Sequence, residues 1–247
     1  MANVVEHKLV KDPRLAARRS TVFYKYLMAA TGLIMIGYLL LHMYGNLKVF
    51  EGQEKYDAYG EYLRTILEPI LPRGGLLYII RFVLLASVLL HAYAAVKLTQ
   101  RDRAAAGRVG GAGSSRYESK QNRRGVQRSY ASFTLRWGGV VIALFIVYHL
   151  LHLSANNTFS PGGASQSSYV RLVNGFEIWW VVVGYTVALI AIAFHLRHGI
   201  WSAATTLGAN TSPARRRALN LSATVLALVI SIGFLVPPYS VLFGLVD

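Results

Sequence analysis

The sequence predicts an all-α membrane protein in which five helices cross the bilayer. Of its 247 residues 54% are hydrophobic, and the mean hydropathy is +0.39, more apolar than a typical soluble domain. Five apolar runs of about 20 residues recur, and each matches the thickness of a hydrocarbon core. Basic residues concentrate in alternate connecting segments, as they do in chains that cross a membrane repeatedly.

The apolar runs place the spans at about residues 23–47, 76–98, 133–154, 176–201 and 218–236. Residues 1–22 are predicted to form a basic N-terminal tail, and residues 237–247 a C-terminal tail that begins at a Pro-Pro pair. The polar and aromatic stretch GQEKYDAYGEYLRTILEPI, after the first span, predicts a short amphipathic helix on the membrane surface. The fifth span contains no histidine and no charge, which indicates a packing helix.

The charge distribution predicts the orientation of the spans. The net charge is +15, and the basic residues cluster in the N-terminal tail and in the segments after the second and fourth spans. Because such residues mark the cytoplasmic side, we expect the N-terminus inside and the C-terminus outside. We interpret the charge as orientation together with contact to anionic lipids or a partner subunit, rather than as nucleic-acid binding.

The chain contains no cysteine. It therefore can supply neither a disulfide, nor a thiolate zinc site, nor a complete cysteine-ligated iron–sulfur cluster.

Histidines at membrane depth are the main functional signal. An ionisable side chain inside the bilayer is costly, and by default it indicates function. Spans one and three are predicted to run outward, and spans two and four inward. With a helical rise of about 1.5 Å per residue, the histidines of these spans lie at two separate depths in the membrane. Spans one to four carry, in order, His42, His91, His149 with His152, and His195 with His198.

Two pairs of neutral imidazoles on facing helices suit two six-coordinate haems. The depths pair His42 with His149 in the outer half, and His91 with His195 in the inner half. Small residues near these positions would leave room for the porphyrin, namely Gly32, Gly37, Gly138, Gly139 and Gly184.

Other interpretations of the histidines remain open. Each could make only an interhelical hydrogen bond, and the two pairs spaced i,i+3 could suggest a zinc or di-metal site. These two pairs, however, lie at opposite membrane levels. We assign His152 and His198 to roles beside the ligands, at a haem propionate or at a quinone, and we expect Arg136 and Arg197 to contact propionates.

Four stretches resemble one family: LLLHMYGNLKVFEGQEKYDAY, LLHAYAAVKL, LRWGGVVIALFIVYH, and FHLRHGIWSAATTLG followed by SPARRR. Together they resemble the single-chain, five-helix dihaem membrane anchor, of the cytochrome b558 type, of succinate:quinone oxidoreductase and fumarate reductase, respiratory complex II. The resemblance favours His149 over His152, and His195 over His198, as iron ligands. It implies that the inner pair holds the proximal haem and the outer pair the distal one.

The resemblance also implies partners and a reaction. A flavoprotein subunit that oxidises succinate and an iron–sulfur subunit would dock on the cytoplasmic face, in a bacterial inner membrane, in a complex that can form higher oligomers. Electrons would pass through two b haems to menaquinone or another lipid quinone. Quinone reduction needs a proton donor in an apolar slot, and we choose Glu61 in the outer connection, where a solvated surface helix is the alternative.

Two competing functions remain open. One is an anchor of the same complex that lacks one or both haems and uses its histidines at the quinone. The other is a small-molecule transporter with a histidine relay, which would be expected to show broken helices or inverted repeats. The sequence shows no clear inverted repeat, and no proline interrupts the four histidine-bearing spans.

Overall fold

The computed structural model describes residues 20–109, 126–155 and 160–247. Residues 1–19 of the predicted basic tail, residues 110–125 of the Gly-, Ser- and Arg-rich segment, and residues 156–159 of an outer connector lie outside the described residues. So do the side chains of residue 103 and of residues 105–109 and 126–136. The described part is helical and contains no strand, which confirms the predicted all-α class.

Seven α-helices make up the described part of the chain. They are α1 (Thr21–Leu47), α2 (Gln53–Thr65), α3 (Gly75–Val109), α4 (Val126–His149), α5 (Ser168–Phe176), α6 (Trp179–Thr206) and α7 (Pro213–Leu242). A 3₁₀ turn, Lys48–Glu51, follows α1, and a π-helical turn, Leu150–Ser154, continues α4. By length and composition α1, α3, α4 with its π turn, α6 and α7 can each cross a membrane, which confirms the five predicted spans. We keep the names outer and inner, which the charge distribution predicts, for the two ends of the bundle.

Helices α1 and α6 form the centre of the bundle. Helix α1 packs against α3, α6 and α7, while α6 packs against α4 and α7. Helices α3 and α4 therefore flank the central pair. Within the described residues α1 makes few backbone contacts with α4, and α3 makes few with α6. Side chains, rather than close backbone packing, connect these two helix pairs.

The fifth membrane helix begins earlier than hydropathy predicts. Ser212 accepts a hydrogen bond from the backbone N–H of Arg215 at 3.2 Å, and Pro213 occupies the first turn. A serine cap followed by proline is a strong start signal. Helix α7 therefore includes the basic residues 215–217, which hydropathy assigns to the preceding loop.

Helix α7 also ends later than predicted, since it continues through Pro237 and Pro238 to Leu242. The two prolines lack the N–H groups that would bond to carbonyls one turn earlier, but membrane helices tolerate this where neighbouring elements enclose the site. Pro237 is fully buried. The expectation that the proline pair ends the fifth helix is wrong, because tertiary packing supports one further turn.

A layer made of α2 and α5 covers the outer end of the bundle. Helix α2 lies where the amphipathic helix was predicted, whereas α5 was expected to be connector and the start of the fourth span. The Asp57 carboxylate of α2 accepts hydrogen bonds from Ser167 Oγ at 2.5 Å and from the N–H groups of Ser168 at 3.0 Å and Tyr169 at 3.2 Å. This carboxylate therefore caps α5 from another element, which local sequence does not reveal.

The interior beneath this layer is the largest buried cluster of the described residues. Its members are Val49, Tyr169, Leu172, Val173, Phe176, Val181, Val182, Tyr185, Val241 and Val246. Tyr56 of α2 packs against the cluster. Burial raises the pKa of Tyr56 to about 12, and the charge of the neighbouring Asp57 adds to the shift. The outer end is thus closed by tertiary packing rather than left as loose loops.

Replacing Asp57 by alanine should destabilise the outer layer. The change removes the acceptor for two backbone N–H groups at the start of α5, and a lost helix cap costs about 1 kcal/mol. We expect a lower melting temperature for the detergent-purified protein. Lys55→Ala, an exposed change on the same helix, is the control. Equal melting temperatures for the two variants would contradict the capping role.

Candidate functional site

The inner histidine pair joins α3 to α6. The ring centres of His91 and His195 lie 6.1 Å apart, with an interplanar angle of 58°. Thr31 Oγ1 of α1 lies 3.1 Å from His91 Nδ1 and donates its proton to the Leu27 carbonyl at 2.7 Å. A hydroxyl has one proton, so Thr31 accepts from His91 Nδ1–H. The Nε2 atom of His91 is therefore unprotonated and can bind a metal.

The second member of the inner pair has an unsatisfied polar atom. The Nδ1 atom of His195 is buried and has no hydrogen-bond partner among the described residues. Buried polar atoms are nearly always paired with protein groups, water or a ligand. The imidazole of His195 is consequently suited to a site that a bound group completes.

The outer pair joins α1 to α4. The ring centres of His42 and His149 lie 5.8 Å apart, with an interplanar angle of 75°. The ring of His42 stacks on Tyr38 at 5.2 Å and also faces Phe234 at 5.5 Å. Aromatic packing on two sides therefore sets the orientation of this imidazole.

A tyrosine hydroxyl connects two histidines at the outer end of α4. Tyr185 Oη of α6 lies 3.2 Å from His149 Nδ1 and 2.8 Å from His152 Nδ1. His152 lies in the π-helical turn and is only 2% exposed. Both histidines of the outer i,i+3 pair thus reach the same hydroxyl, but only His149 also faces His42.

The spacing of both histidine pairs fits a haem held from two sides. If an iron lay between the two rings, metal–nitrogen bonds of about 2.0–2.1 Å and about 1.1 Å from each nitrogen to its ring centre would put the ring centres about 6.3 Å apart, close to the observed 5.8 and 6.1 Å. Within the described part of the chain no three His, Cys, Asp or Glu side chains gather as a metal site. A haem requires only two axial ligands, because the porphyrin supplies the other four nitrogens.

The glycines that were predicted to make room for a porphyrin differ in their surroundings. A Cβ atom on Gly32 would lie 3.6 Å from the His91 ring, and one on Gly138 would lie 3.9 Å from the Ala191 carbonyl. At Gly37, Gly139 and Gly184 no described atom would lie within 4 Å of an added Cβ. Gly32 therefore borders the inner pair directly, whereas Gly37, Gly139 and Gly184 leave open space beside their helices.

Three further candidates were predicted on the inner side, namely Arg136, Arg197 and His198. Arg197 Nε donates to Thr224 Oγ1 of α7 at 3.0 Å. The ring of His198 lies 6.3 Å from that of Trp201. Arg136 belongs to α4, but its side chain lies outside the described residues. No hydrogen bond or ring contact among the described residues joins Arg197 or His198 to a histidine pair, so the propionate roles of Arg136, Arg197 and His198 stay predictions.

Glu61 lies on α2 in a cluster of opposite charge. Its carboxylate accepts a hydrogen bond from Arg73 and lies 3.6 Å from Arg64, and its side chain is 43% exposed. Tyr59 of the same helix packs against the backbone of Gly45 near the end of α1. Glu61 is thus a surface carboxylate at the outer end, accessible to water, and its role as proton donor stays a prediction.

Sequence reasoning missed Thr31 and Tyr185, whose hydroxyls lie on neighbouring helices within hydrogen-bond distance of His91 and His149. Both are hydroxyl residues inside apolar spans, and both are buried. Their polarity was visible in the sequence. Which histidine each one faces depends on how the helices pack, since the partners are 60 and 36 residues away.

The chain was compared with known protein families, curated proteins and solved structures. The family model described as succinate dehydrogenase/fumarate reductase transmembrane subunit matches residues 119–234, slightly less than half of the chain. Neither the curated proteins nor the solved structures contain a match. The matched part includes His149 and His195 but begins after His42 and His91. Over most of its last three membrane helices the chain is therefore similar to the transmembrane subunit of succinate dehydrogenase/fumarate reductase.

Proposed function

We propose that the chain is the membrane anchor and dihaem cytochrome b subunit of succinate dehydrogenase, complex II, and that it relays electrons from the iron–sulfur subunit to a membrane quinone. One observation carries the proposal. Two histidine pairs, each shared between helices that make few backbone contacts, have ring spacings of 5.8 and 6.1 Å. When bound, a haem at each pair supplies one-electron transfer through the apolar interior.

The protein's own side chains hold and orient the ligands in this proposal. Thr31 keeps the proton of His91 on Nδ1, which leaves Nε2 for iron. Tyr38 and Phe234 clamp the ring of His42. Such supporting contacts reduce the number of orientations that a ligand must lose on binding. The long apolar helices around the pairs would keep water away from the bound groups.

The partners follow from the chemistry that the chain lacks. It has no cysteine, so cysteine-ligated iron–sulfur clusters must belong to another subunit. The similarity of residues 119–234 to a succinate dehydrogenase/fumarate reductase transmembrane subunit supports soluble catalytic partners. We propose that these are a flavoprotein and an iron–sulfur protein. A lipid quinone, menaquinone or another, is the proposed acceptor in the bilayer.

The haem content tests the proposal directly. A pyridine haemochrome assay on the purified membrane complex should give about two b-type haems per chain, one for each histidine pair. The dithionite-reduced difference spectrum should show bis-histidine ligation. A preparation without haem would overturn the dihaem proposal and would favour the haem-poor quinone-binding anchor.

Single ligand replacements should remove one haem each. Replacing His91 or His195 by alanine should remove the inner haem, and replacing His42 or His149 should remove the outer one, because each pair serves one iron. Haem content and low-temperature absorption spectra would measure the loss. Loss of both haems from every inserted variant would argue against two separate sites.

The variant His152→Gln is the control for the ligand on α4. Its ring faces Tyr185 rather than His42, so two haems should remain. Loss of the outer haem in this variant, with retention in His149→Gln, would show that the two histidines have the opposite roles.

Glu61→Gln should slow quinone reduction and leave both haems in place. A positioned proton donor contributes a factor of roughly 100 or more to the rate, and the amide cannot replace it. Succinate:quinone reductase activity, with haem content measured in parallel, checks this. The control is Glu177→Gln, an exposed carboxylate beyond α5. Unchanged activity in Glu61→Gln would show that Glu61 is not the proton donor.

A further inference from the structure

We propose that Tyr185 is a positioning residue, whose hydroxyl keeps the proton of His149 on Nδ1 and thereby directs Nε2 of His149 toward the outer haem. This inference rests on the proposed function. It assigns the role to a hydroxyl of α6, a helix that supplies no ligand to the outer pair, and it makes His152 the second partner of that hydroxyl.

The number of protons limits what this hydroxyl can do. The Tyr185 hydroxyl has one proton and lies within hydrogen-bond distance of two Nδ1 atoms, at 3.2 Å for His149 and 2.8 Å for His152. It can therefore donate to only one imidazole and must accept from the other. The two possible directions leave opposite tautomers on His149.

The two distances decide between the two directions. Hydrogen bonds from an O–H donor are shorter, at about 2.7–2.8 Å, than those from an N–H donor, at about 2.9–3.0 Å. The contact of Tyr185 Oη with His152 Nδ1 is the shorter one, at 2.8 Å, and the contact with His149 Nδ1 is 3.2 Å. The Tyr185 O–H therefore donates to His152 Nδ1, and Tyr185 Oη accepts from His149 Nδ1–H.

The direction of the hydrogen-bond chain follows from these contacts. His149 Nδ1–H donates to Tyr185 Oη, and Tyr185 Oη–H donates to His152 Nδ1. His149 is left with an unprotonated Nε2, the atom that an axial ligand needs. An acceptor at the far nitrogen fixes the ring orientation of a metal-bound histidine and increases the electron donation of the ligating nitrogen.

Packing holds the hydroxyl in this position. Tyr185 is 5% exposed, and its ring meets Phe145 edge-on at 5.0 Å and Phe176 edge-on at 4.8 Å. Because aromatic rings on α4 and α5 enclose it, the side chain has little freedom to swing away from His149. The short helix α5 thus contributes to the orientation of an iron ligand that it does not itself touch.

The inner pair contains a matching arrangement. Thr31 accepts from His91 Nδ1–H and passes its own proton to the Leu27 carbonyl. Each pair therefore has one histidine held by a hydroxyl on a neighbouring helix. The Thr31 hydroxyl donates to a backbone carbonyl, whereas the Tyr185 hydroxyl donates to a second imidazole.

The test is Tyr185→Phe in the whole complex, with redox titration of both haems. Loss of the acceptor makes His149 a weaker electron donor to ferric iron. We expect the outer haem, defined as the one that His42→Ala removes, to shift toward the ferrous form by roughly three- to tenfold, where tenfold is about 59 mV for one electron. Its low-spin ferric EPR signal should move as well, while the inner haem stays unchanged.

Tyr148→Phe is the matched control. Its hydroxyl is buried and has no hydrogen-bond partner among the described residues, and its ring lies 5.6 Å from His152 and 6.0 Å from Tyr185. The same atom is removed from the same cluster without breaking the chain of hydrogen bonds. Thr31→Val is the reciprocal variant, and it should shift the inner haem alone.

The outcomes separate this inference from the proposed function. Absence of haem from the unmodified complex would overturn the proposed function. Two haems with unchanged potentials and EPR signals in Tyr185→Phe, or an equal shift in Tyr148→Phe, would overturn only the positioning role. Selective loss of the outer haem from Tyr185→Phe, with both haems retained in Tyr148→Phe, would support it.

Discussion

The placement of four imidazoles between membrane helices is the constraint on which the rest of the structure depends. A histidine inside the bilayer needs a polar partner or a bound metal, because lipid offers neither. Four rings lie as two facing pairs, and a hydroxyl on a neighbouring helix lies within hydrogen-bond distance of one ring of each pair. His195 Nδ1 has no such partner among the described residues. The helices must therefore keep their registers, since a shift of one residue turns each imidazole away from its partner.

The packing of the bundle follows from this arrangement. The central helices α1 and α6 each contribute one ligand candidate, and the flanking helices α3 and α4 contribute the other two. The central helices also contribute the two hydroxyl residues, Thr31 and Tyr185. Helix α7 has no histidine, and it packs on the same central pair. Each central helix thus contributes a ligand candidate to one histidine pair and a supporting hydroxyl to the other pair.

The outer layer has a second function beyond covering the bundle. Helix α5 is capped by Asp57 of α2, and its last residue, Phe176, packs against Tyr185. The position of a hydroxyl near the outer pair therefore depends on a surface layer built from two separate connecting segments. Glu61 belongs to the same layer through α2, so the proposed quinone chemistry would share its scaffold with the proposed outer haem.

The sequence alone determined the class, the five spans and the histidines that face each other, because apolar length and helical rise are local properties. It did not reveal α5, the extension of α7 through its prolines, or the hydroxyls of Thr31 and Tyr185 as partners of particular imidazoles. Those features arise from contacts between segments far apart in the chain. Only tertiary packing brings an aspartate to a distant helix start, encloses a proline, or aims a buried hydroxyl at one ring nitrogen.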